Sequence, residues 1–130
     1  MDKASVKILP YWSWDMSVAT TPNELCSILN NILVPATGVL FDLGETLVVK
    51  IDATDIPIPI GVVYVDENFK VMQIVGTLSP DKLITSDKPC RFFLVVSPNE
   101  VVGITPGIKV NIANYKLFKK PKYREGGKQK

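Results

Sequence analysis

With 130 residues, 46% of them apolar and 22% charged, the chain is long and apolar enough for one domain with a sizeable core, which excludes wholesale disorder. It contains no histidine, and that excludes Ser-His-Asp and Cys-His catalysis together with the commonest ligand of zinc, copper and iron. The net charge of +2 is unevenly divided: Met1 to Tyr115 holds 8 basic against 12 acidic residues, a balance of −4, whereas Lys116 to Lys130 holds 7 basic residues against Glu125 alone, a balance of +6. The expected organisation is a single domain over residues 1–115 and a basic C-terminal extension over residues 116–130.

The first residues, Met1-Asp2-Lys3-Ala4-Ser5, lead into Trp and Pro rather than a continuous apolar run, unlike a secretory signal. Ser5 to Leu9 alternates as a first strand ending at Pro10. In the following Tyr11-Trp12-Ser13-Trp14 the two tryptophans, spaced by two, share one face of an extended segment. They either cover the open end of a core or offer a stacking platform to a ligand or partner. Thr21-Pro22-Asn23-Glu24 opens a helix: a hydroxyl caps free N–H groups, Pro takes the first helical position and Glu closes a capping box. Leu25, Ile28, Leu29 and Ile32 then recur at helical spacing, which predicts one short helix near residues 22–32 packed on a sheet.

From Gly38 onward the pattern is β. Strands are predicted at Gly38 to Phe41, Thr46 to Ile51, Ile60 to Val65, Lys70 to Val75, Arg91 to Val96 and Ile108 to Ile112, with Asp66-Glu67-Asn68 turning a hairpin between the third and fourth. Pro57 and Pro59 remove two backbone donors and suit an edge segment. The run from Ile56 to Val65 is far shorter than the roughly 20 residues of a membrane-spanning helix, so no membrane partner is expected. Cys26 and Cys90 stand outside any C-x-x-C pattern and read as buried thiols. The fold class is mainly β (α+β): an antiparallel sheet or small barrel of six to seven short strands with one short helix.

These segments, in their order, resemble the domain-of-unknown-function 192 family, a group of small β-rich bacterial and archaeal domains. The resembling pieces are Thr21-Pro22-Asn23-Glu24, Gly38-Val39-Leu40-Phe41, Ile58-Pro59-Ile60 before Val63-Tyr64-Val65-Asp66, Ser86-Asp87-Lys88-Pro89-Cys90-Arg91-Phe92, and Gly103-Ile104 with Gly107 and Val110. They span about residues 18 to 112. Where that family carries Trp-Met-x-Asn-Thr before Ile-Pro-Leu-Asp, this chain has Asp52-Ala53-Thr54-Asp55-Ile56 before Ile58-Pro59-Ile60-Gly61. The resemblance implies a fold, with the polar residues that line a site in relatives replaced; it brings no established activity.

No catalytic, cofactor-binding or metal-binding set emerges. Asp42, Glu45, Asp52 and Asp55 lack the regular spacing and central glycine of a calcium loop and read as solvated strand-end charges. Neither a P-loop nor a G-x-G-x-x-G pattern is present. The candidate ligand or partner residues are Trp12, Trp14, Asp52 and Asp55. In the extension, Lys116, Lys119, Lys120, Lys122 and Arg124 interleave with Phe118 and Tyr123, a pattern that suits an acidic protein surface or nucleic-acid phosphates. Two functions follow as expectations. One is a non-enzymatic structural or assembly module whose terminal extensions dock onto neighbouring subunits, itself or other proteins, in the cytoplasm or in a virus particle assembled there. The other is a stand-alone β domain binding a small ligand in the mouth of the β structure.

Overall fold

The computed structural model describes residues 3–9, 12–31, 38–54, 56, 58–80 and 82–118, with the backbone alone for residues 26 and 29–31. Nine strands are described: β1 (Lys3–Ile8), β2 (Trp12–Ala19), β3 (Val39–Leu47), β4 (Lys50–Asp52), β5 (Ile60–Val65), β6 (Val71–Leu78), β7 (Leu83–Thr85), β8 (Cys90–Val96) and β9 (Val110–Ala113). One helix, α1 (Pro22–Asn31), and a 3₁₀ turn, Pro98–Val101, complete the set. Seven strands form one sheet in the order β6-β5-β8-β3-β2-β1-β9, and β4 and β7 pair separately. The mainly β architecture with a single short α-helix is the one expected from the sequence.

Every pair in the large sheet is antiparallel except β2 with β3. Parallel neighbours need a crossover, and α1 supplies it between them. The helix starts as its sequence prescribes. The Thr21 hydroxyl accepts the Glu24 N–H at 3.2 Å, and the Glu24 carboxylate accepts the N–H and hydroxyl of Thr20, both at 2.9 Å. Those donors, the Thr20 N–H first, hold the Glu24 carboxyl below the usual carboxylate range.

The sheet curls until its two edges meet at one end. Val71 donates to the Ile108 carbonyl (2.8 Å), Gly107 to Val71 (2.7 Å) and Val110 to Phe69 (2.7 Å). The result is a half-barrel closed at the β6–β9 end. Alternate residues of each central strand then face two different cores. Val63, Val65, Leu40, Phe92 and Leu94 point into the barrel with Val6, Ile8, Trp14 and Met16. Val62, Tyr64, Phe41, Phe93 and Val95 point outward, beneath α1 and the β4–β7 pair. β5 and β8 are covered on both sides, which explains near-continuous apolar runs where a half-exposed strand would alternate.

Four local expectations are corrected. β2 runs as an eight-residue strand through Asp15 and Ser17, whose polar side chains simply face out. The strand expected at Thr46 to Ile51 is split: Thr46 and Leu47 end β3, which continues from the segment expected at Gly38 through a register break with β8 between Asp42 and Leu47 around Gly44 (φ 76°), and Lys50 and Ile51 belong to β4. β4 is a separate short strand. β7, three residues long, was too brief to register as a pattern.

Candidate functional site

An open cleft of about 400 Å³ lies on the outward face of the sheet, between the first turn of α1 and β4. Its floor is the Phe41–Phe93 pair, stacked with ring centroids 4.7 Å apart and planes 10° from parallel. Adjacent strands put these residues directly opposite each other, in register on β3 and β8. Pro22 and Leu25 of α1 form one wall; Leu43, Leu47 and Ile51 form the other. Val48, 49% exposed, stands at the rim. The polar lining is Lys50 and Asp52, spaced by two on β4 and so on one face of it. The Asp52 carboxylate accepts the Thr54 hydroxyl and its N–H, the latter at 2.9 Å, and these bonds hold its carboxyl below the usual range. Lys50 makes no ion pair among the described residues.

A second polar constellation sits at the break in β3. Asp42 is fully buried, and its carboxylate accepts four donors: the Gly44 N–H (3.0 Å), the Arg91 guanidinium, the Tyr115 hydroxyl (2.7 Å) and the Phe118 N–H (2.7 Å). Arg91 also donates to the Phe118 carbonyl at 2.6 Å and lies over the Phe92 ring, 4.5 Å from its centroid. A buried carboxylate is tolerable only when paired and hydrogen-bonded, and here every lone-pair direction is occupied. That leaves Asp42 nothing with which to coordinate a cation. Together Asp42 and Arg91 hold both main-chain polar groups of Phe118, as a neighbouring strand would.

Trp12 and Trp14 both face the barrel interior. Trp14 is buried, and the half-buried Trp12 ring lies over Gly103, where a Cβ would meet it at 3.3 Å. Asp52 is on the other side of the sheet, at the cleft, so the structure does not bring it together with the tryptophans. Asp55, Lys119, Lys120, Lys122 and Arg124 lie outside the described residues; Lys116 is exposed. Sequence reasoning missed the phenylalanine floor and the Asp42–Arg91 pair. The pair left a signal: one acid inside Leu40-Phe41-Asp42-Leu43 and one base inside Cys90-Arg91-Phe92-Phe93, lone opposite charges in two apolar strands.

No family model matches the chain, and no curated protein matches it. Two solved structures share its fold. One is a protein of Sinorhizobium meliloti 1021 bearing the name "putative transcription regulator", 20% identical, with a TM-score of 0.74 over 85% of this chain and 92% of that one. The other is a protein of unknown function from Novosphingobium aromaticivorans DSM 12444, 20% identical, with a TM-score of 0.72 over 84% of this chain and 83% of that one. Likenesses at this identity show a common fold.

Proposed function

We propose that this chain is a non-catalytic binding domain, and that its ligand is a small molecule with an apolar body and an anionic group, seated in the cleft over Phe41 and Phe93. The cleft carries the reading: its volume lies within the range of small-molecule sites, its lining is largely apolar, and a few polar groups stand at one rim, the usual composition of such a site. Lys50 is the group suited to an anion, since Asp52 is already engaged by Thr54. The absence of histidine supports binding over acid–base chemistry. We also place the chain, as a proposal, among divergent relatives of the domain-of-unknown-function 192 family; the order of the resembling segments supports this.

The test uses an anionic apolar dye, anilinonaphthalene sulfonate, displaced by medium-chain carboxylates. Saturable dye binding that is lost in Leu47→Glu and weakened in Lys50→Glu is the expected result. Equal dye response in all three proteins would overturn the reading.

A second reading, assembly through the basic extension, is supported by the Asp42–Arg91 clasp, which fixes the point where the extension leaves the body. Beyond Phe118 an extension of balance +5, six basic residues against Glu125, leaves a body of balance −3, nine basic against twelve acidic, and suits a neighbouring acidic protein surface, this chain's own included.

A further inference from the structure

The clasp grips main chain rather than side chain. Phe118 is held by its N–H and its carbonyl, and among the described residues the Tyr115 hydroxyl also donates to Asp42. Tyr115 also packs against the barrel cluster, whereas the two residues between it and Phe118 lie outside: Leu117 is 42% exposed and Lys116 is exposed. A single residue, Asn114, separates this segment from the end of β9, and Asn114 turns the chain back with φ at +60°, a left-handed conformation that costs every residue but glycine, asparagine less than most. In an extended conformation the same residue would carry the segment away from the body.

We propose that Tyr115–Phe118 is an exchangeable arm: the Asp42–Arg91 clasp of one copy accepts the arm of a second copy, and two copies close into a dimer by reciprocal exchange. Every contact of the arm is reproduced in the exchanged pair, and only the hinge changes, where the Asn114 side-chain amide donates to the Ser5 hydroxyl at 3.3 Å in the closed chain; the balance depends on that hinge and on the effective concentration of the tethered arm. A short tether sets that concentration at about millimolar, and the left-handed hinge lowers it further. The inference deepens the assembly reading and is independent of the cleft.

The experiment is sedimentation of the full chain up to about 2 mM, around the effective concentration of such a tether, alongside three variants. Asn114→Pro fixes φ near −65° and cannot make the turn, and an extended Ala113 is compatible with a following proline. We expect reversible dimer in the native chain near the top of the range, dimer at concentrations at least tenfold lower in Asn114→Pro, and monomer in Asp42→Asn/Asn114→Pro. Asn114→Gly, which tolerates the left-handed hinge, moves dimer to higher concentration and keeps the test decisive should the proline variant fail to fold. A native chain that stays monomeric throughout overturns the proposal, as does dimer that persists without Asp42. Dimer lost when the chain is cut after Phe118 overturns arm exchange while favouring assembly through the extension, so the two failures are distinguishable.

Discussion

Tyr64 is fully buried on the outward face of β5, and its hydroxyl has no hydrogen-bond partner among the described residues. Burial pushes that hydroxyl's pKa upward, with the neighbouring Cys90 and Asp87 adding to the effect. The same burial pushes the Cys90 thiol up to about 11, opposed by its hydrogen bond with Ser86. An unpaired buried hydroxyl costs about 1–3 kcal/mol. Tyr64→Phe is therefore expected to raise the unfolding free energy by about 1 kcal/mol, read by urea denaturation at neutral pH. Both groups have folded pKa values above their unfolded ones, so the unfolded chain loses its protons first as pH rises. The stability they contribute is complete below pH 9, the thiol's ordinary value, and falls from there through about 11. Tyr64→Phe/Cys90→Ala should flatten that alkaline decline; a Tm that falls as steeply in the double variant would contradict the assignment.

At the level of the elements, β8 is covered on both faces, with Phe93 and Val95 beneath α1 and Phe92 and Leu94 inside the barrel. Replacing either Phe92 or Phe93 with Ala is expected to cost about 3–5 kcal/mol, measured by chemical denaturation, with no alternation along the strand. An alternating pattern would mean that one face is open. The helix, the β5–β6 hairpin and β8 were legible because capping chemistry, a turn sequence and an unbroken apolar run are local properties. β2 alternates polar Ser13, Asp15 and Ser17 with inward Trp14, Met16 and Val18, but Asp and Ser are poor strand formers, which obscured it. The cleft was illegible for a different reason: Phe41 and Phe93 are 52 positions apart in sequence and meet only through the β3–β8 register. Asp52 was singled out and does line the cleft, whereas the tryptophans singled out with it close the barrel.

For the whole molecule, the body reaches as far as Phe118, whose main chain is fixed to β3 and β8 through Asp42 and Arg91. Cutting the chain after Phe118 should leave Tm within about 1 °C. Cutting after Ala113 leaves Asp42 its Arg91 and Gly44 partners but removes two hydrogen bonds to a charged group, together about 3 kcal/mol, and should lower Tm by roughly 10–20 °C for a domain of this size. Equal melting of the two truncated proteins would show the clasp to be energetically idle.

The pairing of β1 with β9 sets Ser5 beside Ala113 and Ile8 beside Val110. On the ribosome the first strand must therefore wait for the last: at about 5–20 residues per second, the roughly 100 residues between them take some 5–20 s to synthesise. During that interval Val6 and Ile8, both fully buried in the finished barrel, belong to a nascent chain whose closing strand does not yet exist, a window in which a holding chaperone would find them.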